Sequence, residues 1–158
     1  MGFVDLVQFF ISIGVCIFAG FIGSLFTASA IPTWYAELNL PPFNPPDWVF
    51  GPVWTVLYIL MGIALFAVWR QGTEDSEVKG GMILFGLQLA LNVLWSIVFF
   101  GMHSILGGVI VIILLWLLLL FVTGSFFQVS ELAGWLLVPY IAWVSFAAVL
   151  NVAILVLN

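Results

Sequence analysis

Residues 40–69 read LPPFNPPDWVFGPVWTVLYILMGIALFAVW. The first part is a stiff connector. Four of the chain's seven prolines, Pro41, Pro42, Pro45 and Pro46, fall within six positions, where they fix φ repeatedly and remove backbone donors. From Trp48 onward the stretch turns apolar and stays so to Trp69, the length of about 20 residues that crosses the hydrocarbon core of a bilayer. A proline segment feeding such a run specifies a membrane-spanning helix with a structured approach. Pro52 stands early in the run, where proline is tolerated at the cost of a local kink. Phe43, Trp48, Phe50 and Trp54 are set around the connector. A rigid backbone carrying large flat side chains suits a flat apolar ligand; it equally suits a capped helix start with interfacial tryptophans.

Composition extends this reading to the whole chain. Of 158 residues, 65% are hydrophobic and 6% charged, too few charges to keep a soluble domain of this length in water. Five runs are long enough to span: 6–28, 48–69, 80–101, 104–126 and 133–156. They are continuously apolar, without the alternation of a membrane barrel. The expected fold is therefore an all-α integral membrane protein, a single domain of five transmembrane helices with a structured loop, residues 29–47, after helix 1. Arg70 is the first basic residue, so the opening run lacks the positive n-region of a signal peptide and is expected to be retained as a span. Both basic residues lie in RQGTEDSEVK, residues 70–79, which by the positive-inside tendency places that connector and the N-terminus in the cytoplasm.

The charge balance narrows the function. Seven acids against two bases give a net charge of −5, which argues against nucleic acid and against polybasic recognition of lipid headgroups. Cys16 is the lone cysteine, so neither an intrachain disulfide nor a zinc cluster is expected. No ionisable residue lies well inside spans two to five, which disfavours proton relays, ion-coupled pumps and voltage sensors. The one histidine, His103, sits in the turn between spans three and four and reads as solvated rather than as a haem ligand. No nucleophile–base pair and no tightly bound cofactor are expected, so any reaction must draw its reactivity from the ligand.

Span one carries Ser12, Cys16, Gly20, Ser24 and Ala28 at intervals of four, a stripe that lets another helix approach closely. The nineteen-residue loop that follows is longer than connection demands and is expected to fold over the bundle mouth, with a helical turn after Pro32 carrying Trp34, Tyr35 and Leu38. Polar residues recur deep in span three, at Gln88, Asn92 and Ser96 beside Trp95, and must face a cavity or another helix. Span five has Tyr140, Trp143, Ala147 and Asn151 on one face, and span two has Trp54 and Tyr58 one turn apart. With a rise of about 1.5 Å per residue, Trp54 and Trp95 both lie roughly 9 Å below the loop side, and Asn92 and Ala147 nearer 14 Å. That depth is below an interfacial belt, so Trp54, Trp95 and Trp143 are read as pocket residues, whereas Trp34, Trp48, Trp69 and Trp135 stand where a belt would. Trp116 reads as packing or lipid contact.

WYAELNLPPFNPPDWVFGPVW (34–54), LNVLWSIVFFGM (91–102) and WLLVPYIAWVSFA (135–147) resemble the tryptophan-rich sensory protein/translocator protein family, once called the peripheral-type benzodiazepine receptor. The resemblance implies a five-helix bundle with a pocket closed by the first loop. It also implies binding of porphyrins such as protoporphyrin IX and haem, of sterols or of benzodiazepine-site compounds, and a homodimer, for which Gly86 and Ala90 on span three offer a close face. The family's two key pocket tryptophans fall on Trp54 and Trp143, and other lining positions on Trp34, Tyr35, Phe43, Asn92, Trp95 and Ala147. Three functions follow as expectations. They are porphyrin binding for sensing, sequestration or transport; light- and oxygen-dependent porphyrin degradation, with Trp54 or Trp143 catalytic; and passive movement of lipid, sterol or porphyrin. Two departures stand out: Leu40 where relatives often carry lysine, and Phe43 where a tryptophan is usual. No Lys or Arg follows Tyr140, so the steroid-recognition pattern of animal members is incomplete.

Overall fold

The computed structural model describes residues 2–158. Among them there is no strand, and five helices are long and apolar enough to cross a membrane: α1 (Phe3–Ala30), α2 (Asp47–Trp69), α3 (Ser76–Ser96), α4 (Ile105–Val129) and α5 (Glu131–Leu157). The chain is a multi-pass integral membrane protein. Side-chain caps fix where α3, α4 and α5 begin. Asp75 accepts from the Glu77 amide at 2.8 Å and starts α3 four residues before the apolar run at 80. Ser104 and Ser130 accept from the amides of Gly107 and Ala133 and start α4 and α5. In α1 the Gly2 amide donates to the Asp5 carboxylate at 2.8 Å, an acid well placed at a helix N-terminus.

The helices form a ring in the order α1, α2, α5, α4, α3, with α3 closing onto α1. Glycine sets the approach of α2 to the α1 backbone: a Cβ on Gly62 of α2 would stand 2.7 Å from the Ile13 Cα of α1, so only glycine lets these backbones meet. The α1 stripe divides. Ser12 and Cys16 are fully buried, whereas Ser24 and Ala28 are exposed towards a cavity described below.

At the C-terminal end of α3 the backbone widens into a π-turn, Ile97–Gly101, closed by the Met102 amide on the Ile97 carbonyl at 2.8 Å. The extra residue turns Phe99 and Phe100 inward, where both are buried. His103 then reverses the chain with φ at 54°. The loop from α1 to α2 contains the expected turn, a 3₁₀ segment Tyr35–Glu37, and ties itself to the end of α5. The Asn39 amide donates to Asn158 Oδ1 at 3.0 Å and Asn158 Nδ2 returns a bond to the Asn39 carbonyl at 3.1 Å.

Candidate functional site

The polar residues deep in α3 build a cross-bundle network. Tyr58 of α2 donates its hydroxyl to Asn92 Oδ1. Asn92 Nδ2 donates to the Tyr140 hydroxyl of α5 at 2.8 Å, and that hydroxyl donates to Gln88 Oε1 at 2.9 Å. Gln88 Nε2 ends the series on the Met61 sulfur at 3.9 Å. Above it, Trp95 donates its indole N–H to Asn151 Oδ1 at 3.1 Å. Every one of these side chains is buried, so each bond replaces one that the hydrocarbon could not supply. Their function is to hold α2, α3 and α5 in register.

On this frame stands an aromatic cluster centred on Trp54. Its ring stacks on Tyr58 at 5.7 Å and 29°, lies 6.1 Å from Trp95, and meets Tyr140 edge-on at 6.2 Å. Trp95 is backed in turn by Phe99, stacked at 5.8 Å and 10°. A cavity of about 390 Å³ opens against this cluster, within the range typical of small-molecule sites. The bundle supplies Trp54, Tyr58 and Trp95 to it, with Phe50 and Phe100 at its margins. The opposite wall is α1, through Ile17, Gly20, Phe21, Ser24 and Ala28. A Cβ at Gly20 would come within 2.6 Å of the Tyr58 ring, so the α1 stripe brings the wall close at that level and leaves room above it.

The other expected site residues are placed as follows. Asn92 and Tyr140 lie behind the cavity wall in the network, and Ala147 is buried on α5, its carbonyl accepting from Asn151 Nδ2. Trp143 packs against Phe50 and Phe146, one ring removed from the cavity, and its indole N–H is buried without an acceptor. The lining passes from Ile31 to Asp47, so the two ends of the loop border the cavity. Trp34 lies elsewhere, stacked on His103 at 4.6 Å and 10°. Tyr35 is buried and donates to Asn44 Oδ1 at 2.6 Å. Burial, with the nearby Asp47 carboxylate adding to it, raises the Tyr35 phenol pKa above its ordinary value. Phe43 is exposed beside Phe146.

Sequence reasoning missed the share of α1 in this site. Gly20, Ser24 and Ala28 signalled closeness, and only at Gly20 is that their effect; beyond it the same small side chains make space. It also missed the Trp34–His103 stack, which the assignment of His103 to a turn gave no means of finding.

Comparison with known proteins agrees with this architecture. Residues 12–157 match the TspO/MBR family. The chain is 49% identical over 146 residues to the tryptophan-rich protein TspO of Chlorobaculum tepidum, covering 92% of each chain. To the protein of the same name from Archaeoglobus fulgidus it is 46% identical over 140 residues, 88% of this chain and 89% of that one. To the human translocator protein it is 40% identical over 134 residues, 83% and 78% of the respective chains. With its five spanning helices and buried aromatic cluster, the chain belongs to the TspO/MBR family.

Proposed function

We propose that this protein binds porphyrins, or tetrapyrroles of similar shape such as haem, in the cavity between α1, α2 and α3. The observation that carries the proposal is the wall made by Trp54, Tyr58 and Trp95, in which the Tyr58 and Trp95 rings lie 5.7 and 6.1 Å from the Trp54 centroid. Such a wall offers π-faces to a planar ligand at a depth where water does not compete. Trp143 backs this wall from behind Phe50, its indole N–H buried and unpaired. Binding serves sensing, sequestration or transport. The partners are the ligand, the surrounding bilayer and a second copy of the chain.

A second reading, light- and oxygen-dependent breakdown of the bound porphyrin, is favoured by the contacts of Trp54 with Tyr58, Tyr140 and Trp95, which give a ring oxidised there three aromatic neighbours. One experiment tests both. Protoporphyrin IX titrated into detergent-purified protein in the dark is expected to quench tryptophan fluorescence saturably, with affinity reduced about tenfold in Trp54→Phe and more in Ser24→Phe, which fills the cavity. Non-saturable partitioning in the unaltered protein would defeat the porphyrin assignment. Pigment loss under illumination, abolished in Trp54→Phe or Trp143→Phe, would make the protein an enzyme as well as a binder.

A further inference from the structure

We infer that the cavity selects flat ligands that are uncharged or cationic at the end facing the loop side of the bundle, and discriminates against carboxylates there. The inference rests on the reading that this cavity takes a planar apolar ligand, and adds to it the charge class.

Asp47 is the one charged side chain in the lining, exposed at the first position of α2. A helix N-terminus ordinarily attracts anions, since its free amides and dipole present partial positive charge. Here the exposed Asp47 carboxylate stands in the first turn without bonding its amides, and it meets an incoming anion with like charge. Relief is not at hand. The chain's two cations, Arg70 and Lys79, lie beyond the other end of α2, roughly 33 Å away at about 1.5 Å per residue, against a screening length of about 8 Å in physiological salt.

Most uncharged donors of the lining are already engaged. Ser24 and Thr27 donate their hydroxyls to the Phe21 and Gly23 carbonyls within α1, at 2.7 and 3.2 Å. Thr55 donates to the Gly51 carbonyl at 2.9 Å. The Tyr58 hydroxyl is given to Asn92 and the Trp95 N–H to Asn151. Among the described residues the Ser96 hydroxyl is the one in the lining left without such a partner, so the cavity sets a single uncommitted hydroxyl and its π-faces before a carboxylate that requires several donors. A flat ligand with an uncharged rim matches that lining.

The test compares protoporphyrin IX with its dimethyl ester, the same macrocycle without the charges, on the full-length protein and on Asp47→Asn. Asp47 is exposed and makes no capping bond, so the variant should fold. The diacid is expected to bind about three- to tenfold tighter to Asp47→Asn than to the unaltered protein, while the affinity for the ester stays within about twofold. Raising salt from about 0.05 to 0.5 M on the unaltered protein should strengthen diacid binding in the same direction and leave the ester alone. Equal shifts for both pigments, or weaker diacid binding in Asp47→Asn, overturn the inference and leave the porphyrin site standing. Saturable binding of neither pigment overturns the site and the inference together.

Discussion

Asn92 is the residue on which most of the interior depends. Its amide accepts a hydrogen bond from Tyr58 and donates one to Tyr140, joining α2 and α5 through α3. Replacing it with leucine conserves volume but orphans the buried Tyr58 hydroxyl and leaves the Tyr140 hydroxyl with only its bond to Gln88. Each orphaned group costs about 1–3 kcal/mol in water-soluble cores, and interhelical bonds in membranes average less, near 0.6 kcal/mol. Asn92→Leu should therefore lose about 1–3 kcal/mol in an SDS-unfolding titration of the micellar protein; a loss below about 0.5 kcal/mol would show that the network is ornamental to stability. Residue-level chemistry of this kind was legible in the sequence, because an amide that deep in an apolar run has nowhere to go but another helix. The partner of Trp95 was less so. Asn151 stands on the expected face of α5, but only the packed side chains show that it takes the indole N–H and not some other donor.

Among the elements, the α1–α2 loop has the most specific anchoring. Tyr35 is bonded to Asn44 inside the loop, Trp34 is stacked on His103, and Asn39 and Asn158 are paired across the end of α5. Tyr35 gives a pH signature. Its phenol is raised above the ordinary value of 10.0, first by burial and then by Asp47, so the unfolded chain ionises before the folded one. The contribution of Tyr35 is thus fully present below about pH 10 and declines as pH rises from there through the raised folded value. The difference in thermal midpoint between the unaltered protein and Tyr35→Phe should be flat up to about pH 10 and shrink above it. A difference that grows with pH would contradict the assignment. Prolines announced that this loop would be stiff, and its turn after Pro32 forms as expected. What proline content does not encode is the direction in which a stiff loop lies. That depends on the π-turn, which swings Phe99 under Trp34 with ring centroids 5.4 Å apart.

For the whole molecule, five continuous apolar runs settled the architecture before any contact was known, since hydrocarbon admits few other solutions than helices. The ring order was not legible, because the spans are apolar nearly all round and the few polar faces, on spans three and five, do not tell one neighbour from another. The same ambiguity hides the oligomer. On α3 a face survives unused: Gly86 and Ala90 are exposed, and a Cβ at Gly86 would meet nothing within 4 Å. If two copies pair there, Ala90→Cys should form a disulfide-linked dimer in native membranes under mild oxidation, while Ile110→Cys on the outer side of α4 should not. The native thiol does not interfere, because Cys16 is fully buried. Equal crosslinking at both positions would indicate random collision.

The cavity's position between α1 and α2 changes what its occupancy means. Its far wall is a membrane-spanning helix whose outward side chains include the exposed Phe18 and Leu25. A hydrophobic pigment dissolved in the surrounding lipid is counted per lipid molecule, not per litre. Diluting a vesicle suspension tenfold removes almost none of it from the leaflet, so the site stays as full as before. Doubling the lipid at constant pigment halves the supply. For such a protein the bilayer is the reservoir, and its composition and area set the dose.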